Sequence, residues 1–248
     1  MRLLRSLAAW TAIVVSTILF AILAIPLSQL PGGGKWFQRC SKGWSALILG
    51  AAGVRFRVLH PERMRGDGPY VIASNHESFF DIPVLFAALP MPVRFLAKRN
   101  LFRLPFLGWA MAAAGFVPVD RADHSHGKEM LDTALSRLQG DRSLVVFPEQ
   151  TRTRTGELSP FKSGAAVFAI KSGMPLLPVG LAGTFAVLRR DSFWISPGIV
   201  TVAVGEPLSV EGRTTRDRAA VTASLRGAIE ACRDEARAAD IRSESKEP

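Results

Sequence analysis

One histidine and one aspartate are spaced as a catalytic base and its partner would be. His76 and Asp81 belong to the run N-H-E-S-F-F-D, which directly follows the apolar stretch Tyr70–Ser74. Across a tight strand-to-helix turn, Asp81 could accept a hydrogen bond from one imidazole nitrogen, which would leave the other free to deprotonate a hydroxyl. The sequence has no G-x-S-x-G nucleophile motif, so that hydroxyl would belong to the substrate. Taken alone, the spacing also fits a helix-capping Asp81 beside an ordinary polar histidine.

A second polar cluster also follows an apolar run. Residues 147–154 read F-P-E-Q-T-R-T-R, with two arginines, two threonines and Glu149. Arginine forms bidentate contacts with phosphate, so this loop suits an anionic group, although a solvated loop with a Glu149–Arg152 ion pair is the alternative. Arg121 ends a third such run, G-F-V-P-V-D-R. An α/β fold can bring all three strand ends to one face.

The elements that must position these residues alternate between strand and helix patterns. Short β-branched or apolar runs predict strands at Val54–Leu59, Tyr70–Ser74, Val93–Ala97, Phe116–Val119, Ser143–Phe147, Leu176–Leu181 and Ile199–Val204. Helical periodicity predicts helices at Asp81–Leu89, Leu104–Ala114, Lys128–Gln139, Phe161–Ser172 and Arg213–Ile241. We therefore expect an α/β domain over residues 54–248, with a mixed, largely parallel sheet flanked by helices.

The first 53 residues predict a membrane anchor made of two helices. Ser6–Ile25 is an uncharged apolar run that would measure ~30 Å as a helix, and Pro26 is expected to end or kink it. Lys35–Ala52 mixes cations with tryptophans, as an interfacial helix does. A single span and a hairpin dipping into one leaflet both remain open. A cleaved signal peptide fits less well, because the apolar run is too long.

Composition excludes several classes of protein. The chain has 248 residues, 48% of them hydrophobic and 21% charged, which suits a globular core. Its net charge of +10 predicts an anionic partner, but there is no long basic block and only one tyrosine, so a nucleic-acid binder is disfavoured. Cys40 and Cys232 make no disulfide framework, and His124 and His126 are better explained by a polar loop than by a metal site.

Together the motifs resemble those of the membrane glycerolipid acyltransferases. Residues 75–81 resemble their N-H-x-S-x-x-D motif, and residues 147–152 resemble F-P-E-G-T-R. The block from Lys98 to Arg121 and the run M-P-L-L-P-V at 174–179 are similar to the family's other two blocks, in the same order. The resemblance covers about residues 54–205. Within this group the sequence is most similar to the 1-acyl-glycerol-3-phosphate acyltransferases, which make phosphatidic acid.

This resemblance implies the chemistry and the partners. His76 would deprotonate the free hydroxyl of lysophosphatidic acid, Asp81 would orient His76, and the oxygen would attack the thioester of acyl-CoA or acyl-carrier protein. The resemblance also implies that a set of polar residues binds the glycerol phosphate of the acceptor: Glu149, Thr151, Arg152, Arg121, Lys98 and Lys162. It implies no metal and no redox cofactor. With the N-terminal anchor, we expect a protein of the inner cell membrane whose catalytic domain faces the cytoplasm.

Two departures from the family pattern are candidates for acceptor specificity. Gln150 stands where the family usually has glycine, and Asn100 stands where glutamate is common. An acyltransferase acting on another lyso-lipid, such as lyso-ornithine lipid or another lysophospholipid, is therefore the near alternative. A membrane lipid-binding protein without turnover is a second alternative.

Overall fold

Seven strands form one sheet in the computed structural model, which describes residues 2–64, 69–119, 135–136 and 142–244. The strands are β1 (Val54–Leu59), β2 (Val71–Ser74), β3 (Val93–Lys98), β4 (Val117–Val119), β5 (Ser143–Val146), β6 (Leu176–Ala182) and β7 (Gly198–Val204). The helices are α1 (Arg2–Ser28), α2 (Gly33–Ala52), α3 (Asp81–Ala88), α4 (Leu107–Ala113), α5 (Gly164–Ser172), α6 (Thr184–Val187) and α7 (Arg218–Glu244).

The sheet is mixed but largely parallel, as the sequence predicts. Its strand order is β1-β7-β6-β2-β5-β3-β4, and only the β6–β7 pair is antiparallel. The five strands from β6 to β4 therefore run in one direction. Their carboxyl ends meet at one edge, which is where the two polar clusters leave β2 and β5.

Alternate residues of the central strands face two separate cores. In β2, Val71 and Ala73 pack against α5 and α7, whereas Ile72 faces the core that contains α2 and α3. All residues of β2 and β5 are buried, as expected for parallel strands covered on both faces. The strand ends are thus fixed by packing on either side of the sheet.

Helix α2 packs on the domain with its apolar face. Phe37 and Trp44 make edge-to-face contacts with Phe86 of α3, and Ile48 is fully buried. The globular core therefore covers one face of the helix at 35–52, and the interfacial role of this helix stays a prediction that concerns its other face. Lys35 remains exposed.

Helix α1 pairs with α2 and lies along the domain. Trp44 Nε1 donates to Thr17 Oγ1 at 3.0 Å, Trp10 Nε1 to the Phe193 carbonyl at 2.9 Å, and Gln29 Nε2 to the Ala113 carbonyl at 3.3 Å. Of the helices described, α1 alone is long and apolar enough to cross a membrane by length and composition. Its outer face exposes a group of large apolar side chains: Leu3, Leu4, Leu7, Val14, Val15, Leu19, Ile22 and Leu23.

Several helix boundaries differ from the predicted ones for local reasons. Helix α1 continues through Pro26 to Ser28, because a proline that close to the helix end removes only one late hydrogen bond. Helix α5 begins at Gly164, since the Lys162 N–H donates to the Pro148 carbonyl at 2.9 Å instead of joining the helix.

Two further helices start later than predicted, and one cannot be compared. A capping box between Thr214 and Asp217 opens a 3-10 turn, so α7 begins at Arg218. Helix α4 begins at Leu107, after Pro105. The predicted helix Lys128–Gln139 lies outside the described residues except for 135–136, which are helical.

Candidate functional site

The predicted histidine and aspartate meet at the carboxyl end of β2. His76 Nδ1 lies 2.7 Å from Asp81 Oδ2, and Asp81 is fully buried. Nδ1 must carry the proton in this hydrogen bond, because a carboxylate can only accept. Among the described residues, Nε2 has no hydrogen-bond partner, and the imidazole side chain is 11% exposed. The ring is thus held by one nitrogen and can accept a proton at the other.

Every recorded hydrogen bond of Asp81 serves to fix it. Oδ2 also accepts the backbone N–H groups of Glu77 at 2.7 Å and Ser78 at 2.9 Å. Oδ1 accepts the Thr184 hydroxyl at 2.5 Å. These four donors saturate the carboxylate and leave it no freedom to turn away from His76. Asp81 is the first residue of α3, but the N-cap position is Phe80 and has no side-chain cap. The carboxylate accepts N–H groups that precede the helix, so the helix-capping interpretation of Asp81 is wrong.

The loop that carries His76 is fastened to β6 by Asn75. The Asn75 side chain accepts the Leu181 N–H at 2.7 Å and donates to the Leu181 carbonyl at 2.9 Å. The Asn75 side chain thereby continues the hydrogen bonding between β2 and β6 beyond the last backbone pair of these two strands. Ser78 fixes the other end of the loop by donating to the Leu188 carbonyl at 2.7 Å.

Phe147 covers one face of the catalytic candidate. Its ring is stacked on the imidazole of His76, with centroids 3.9 Å apart and planes 12° from parallel. This contact sets the plane of the imidazole and keeps water from one of its faces. Phe147 is the first residue after β5, so the sheet places it directly beside His76.

Glu149 joins the two polar loops. One carboxylate oxygen accepts the His76 N–H at 2.8 Å, and the other accepts the Ser159 N–H at 2.7 Å. A second link runs from the Thr153 N–H to the His76 carbonyl at 2.9 Å. The loop after β5 is therefore tied to the backbone of His76 itself.

The turn at 150–152 is held by a residue that the sequence does not single out. Arg190 Nη1 donates to Thr151 Oγ1 at 2.8 Å and to the Arg152 carbonyl at 3.1 Å. Gln150 has φ of +61°, a left-handed conformation that glycine adopts without strain. Arg152, two residues after Gln150, is half-buried and directly precedes Thr153, whose N–H bonds to the His76 carbonyl.

Of the other predicted site residues, three lie at the carboxyl edge of the sheet or on the loop that leaves it, and one lies outside the described residues. Lys98 and Asn100 are exposed at and just after the end of β3, which pairs with β5. Lys162 is exposed and belongs to the segment whose backbone bonds to Pro148. Arg121 lies outside the described residues.

Glu77 is a buried carboxylate beside the His76–Asp81 pair. It is 3% exposed, and its Oε1 accepts Asn75 Nδ2 at 3.2 Å. Burial and the charge of Asp81 raise the pKa of Glu77 to about 8, while Arg237 and Arg233 lower it in part. Sequence analysis did not identify Glu77 or Thr184 as functional residues. Thr184 carries the same signal as the predicted clusters, a polar residue just after a buried strand.

The fold places this chain in a known structural class. It superposes on the crystal structure of the 1-acyl-sn-glycerophosphate acyltransferase from Thermotoga maritima with a TM-score of 0.83, over 96% of each chain at 22% identity. The mixed seven-stranded sheet of this chain thus has the α/β fold of that acyltransferase.

Sequence comparisons narrow the class to a family. The family model described as Acyltransferase matches residues 55–182. A 1-acyl-sn-glycerol-3-phosphate acyltransferase of the chloroplast of Brassica napus is 37% identical over 57% of this chain. The alpha form from Mus musculus is 32% identical over 84% of this chain and 74% of its own length. The chain therefore belongs to the acyltransferase family, among the 1-acyl-sn-glycerol-3-phosphate acyltransferases.

The share of each relative that is matched varies. The chain matches 41% of the Brassica napus protein and 49% of a Saccharomyces cerevisiae 1-acyl-sn-glycerol-3-phosphate acyltransferase, which is 34% identical. It thus spans about half or less of the length of these two relatives.

Proposed function

We propose that the protein transfers a fatty acyl group to the free hydroxyl of 1-acyl-glycerol-3-phosphate, giving phosphatidic acid, with His76 as the general base. The observation that carries this proposal is the 2.7 Å hydrogen bond from His76 Nδ1 to a fully buried Asp81, with Nε2 left unbonded among the described residues. A base oriented in this way needs a hydroxyl within hydrogen-bond reach, and a lyso-lipid brings one.

The step balances with groups that the chain and its substrates supply. Nε2 of His76 takes the hydroxyl proton while the oxygen forms a bond to the thioester carbonyl carbon. Collapse of the tetrahedral adduct breaks the C–S bond, and the imidazolium returns the proton to the departing thiolate. Asp81 stabilises the imidazolium meanwhile. We therefore propose that the reaction needs no metal and no redox cofactor, and that acyl-CoA or acyl-carrier protein is the donor.

We propose that Arg152 and Thr151 bind the acceptor's phosphate, with Lys98, Lys162 and Arg121 adding positive charge. Support comes from the links of the loop after β5 to the backbone of His76, which place this turn beside the base. Guanidinium and phosphate form paired charge-assisted hydrogen bonds.

Glu149 fits a different role in this proposal. Both of its carboxylate oxygens already accept backbone N–H groups, and the residue is 5% exposed. A carboxylate would also repel a phosphate. We therefore assign Glu149 to holding the two loops together rather than to contact with the acceptor.

The proposed location is the inner membrane, with the catalytic domain on the cytoplasmic side. Helix α1 contacts the domain through Trp10, in its first half, and the next residue after the helix, Gln29, makes another contact, while the outer face of α1 exposes leucine and valine. A helix held along the domain favours the arrangement in which α1 and α2 lie in one leaflet over the arrangement with a single span. An acceptor that resides in that leaflet could then reach His76 without leaving the bilayer.

An acyltransferase assay on the detergent-solubilised protein tests the proposal. Labelled acyl-CoA and acyl-carrier protein are offered with lysophosphatidic acid, other lysophospholipids and lyso-ornithine lipid. We expect conversion of lysophosphatidic acid that falls by at least 1,000-fold in His76→Ala, because the base is lost. Arg152→Ala should raise the KM for the acceptor more than the KM for the donor.

His60→Asn is the matched control for His76→Ala. His60 is half-exposed, is bonded to Glu235, and has φ of 57°, which asparagine tolerates. Turnover of only another acceptor would refute the lysophosphatidic acid assignment and keep the role of His76. Folded protein without turnover on any acceptor would favour a lipid-binding protein.

A further inference from the structure

The C-terminal helix α7 binds the loop after β5 through three arginines on one face. Arg226 Nη1 donates to the Ser159 carbonyl at 2.8 Å, Arg233 Nη2 to Glu157 at 3.1 Å, and Arg237 Nη2 to the Gly156 carbonyl at 2.6 Å. Their spacings of seven and four residues place them along one stripe of the helix. All three lie beyond residues 55–182, the part that the family model matches.

Arg237 also faces the loop that carries His76. Its Nη2 lies 4.0 Å from Glu77 Oε1, and its Nη1 lies 3.8 Å from Glu157 Oε1. Glu77 in turn accepts from Asn75 and donates its backbone N–H to Asp81. Arg237 is therefore in contact with both loops that form the site.

The charges around Glu77 require such a partner. A buried carboxylate next to Asp81 is costly unless a cation is close, and the cations that lower its pKa are Arg237 and Arg233. Arg237 is 39% exposed and Arg233 is 6% exposed. Two further titratable groups lie beside this cluster in the described part of the chain, namely His76 on the same loop and Glu157 on the neighbouring one.

We propose that Arg237 and Glu77 are a pair of positioning residues through which α7 sets the distance between the catalytic loop of His76 and the acceptor loop at 150–159. The inference rests on the proposed function, because it assigns those two loops to base and acceptor. Arg237 acts through Glu77 on one side and through the Gly156 carbonyl on the other. Loss of either charge loosens the junction and leaves each loop attached by its remaining bonds.

A double-mutant cycle tests the pair, with Glu77→Gln, Arg237→Gln, the double variant and Arg237→Lys. At pH 9, where Glu77 is ionised, we expect each single glutamine variant to lower kcat/KM for the acceptor about tenfold, with the KM for the acyl donor changed less than twofold. The double variant should be no worse than Arg237→Gln, because that single variant already removes the interaction that Glu77→Gln removes, together with the bond to the Gly156 carbonyl. Arg237→Lys should recover part of the loss, since it restores the charge without the fork of donors.

The coupling should depend on pH. Ion pairing needs an ionised Glu77, so the interaction between the two positions should be larger at pH 9 than at pH 6.5. A merely structural role would give the same coupling at both values. Additive losses, or single variants within twofold of the wild type, would overturn the proposal.

Hydrogen exchange separates this proposal from the proposed function. Arg237→Gln should speed amide exchange in residues 74–81 and 150–159 together, whether or not the protein turns over any acceptor. Arg218→Gln is the control, because Arg218 is an exposed arginine of the same helix whose guanidinium donates to the nearby Thr215 carbonyl rather than to either loop as far as the structure describes them. Exchange that rises in one loop only, or equally in the control, would refute the pair even if the wild type proved inactive.

Discussion

Replacing Glu77 with glutamine should change how stability depends on pH. Glu77 is 3% exposed beside Asp81, and its pKa is raised from 4.5 to about 8. Between these values the folded chain keeps a proton that the unfolded chain has released. The folded state thus binds more protons, so the free energy of unfolding falls as pH rises from about 5 to 8. Glutamine has no proton to lose and should remove this fall.

The size of the effect follows from the same pKa. From pH 5 to pH 8 the folded and unfolded chains differ by about one proton at this site, and each pH unit then costs about 1.4 kcal/mol. The wild type should lose on the order of 4 kcal/mol relative to Glu77→Gln over this range. For a chain of this size that equals a relative change of roughly 8–16 °C in Tm.

Thermal unfolding of the wild type and of Glu77→Gln in the same detergent measures this pH-dependent difference in stability. We expect the Tm of Glu77→Gln minus that of the wild type to grow steadily from pH 5.5 to pH 8.5. Other titrating groups are common to both proteins and cancel in this difference. A difference that stays constant within 2 °C, or that shrinks as pH rises, would refute the assignment of a protonated, buried Glu77.

Three further predictions concern the turn, the aspartate and the outer face of α1. Gln150→Gly should raise Tm by about 2–4 °C by relieving a left-handed Cβ worth about 1 kcal/mol, while Gln150→Ala should not; equal melting of the two would contradict this. Thr184→Val should lower kcat about tenfold with little change in KM, because Asp81 Oδ1 loses its hydroxyl donor. Thr184→Ser should keep kcat near the wild-type value, since serine supplies the same hydroxyl. A valine variant as active as the wild type would count against the role of this bond. Replacing the exposed Leu7, Leu19 and Leu23 together with glutamine should weaken sedimentation with lipid vesicles while Tm stays within a few degrees; undiminished sedimentation would rule out this face as the membrane contact.

Local sequence signals predicted the sheet because each central strand is a short run of buried apolar residues. The runs at β2 and β5 are buried throughout and apolar except for one terminal serine each, which is typical of strands covered on both faces. The helix ends were less predictable, since they depend on distant partners. The bond from the Lys162 N–H to the Pro148 carbonyl holds residues 161–163 out of α5, and no local pattern encodes it.

The site residues also divide into those whose contacts are local in the sequence and those whose contacts come from distant parts of the chain. His76 and Asp81 are five positions apart, so a single turn brings them together, and their spacing could be interpreted directly. Thr184 reaches Asp81 from 103 positions away, and Arg190 reaches Thr151 from 39. Arg237 contacts the loops only because α7 returns along the sheet after β7. Such contacts follow from topology, which the alternation of elements indicates only in outline.

Glu149 shows why a motif cannot by itself say which of its residues meets the substrate. Glu149 and Arg152 are three positions apart in one short run, and the resemblance implied that both bind the acceptor. In the fold the two environments differ. The carboxylate is buried and both oxygens are bonded to backbone amides, whereas the arginine is half-buried and its backbone, not its guanidinium, is what Arg190 binds. A buried, saturated group holds the loop in place, and a partly exposed cation at the end of that loop is free to meet an anion. Residues of one short motif can therefore have two different physical roles, and the hydrogen bonds in the folded chain distinguish them.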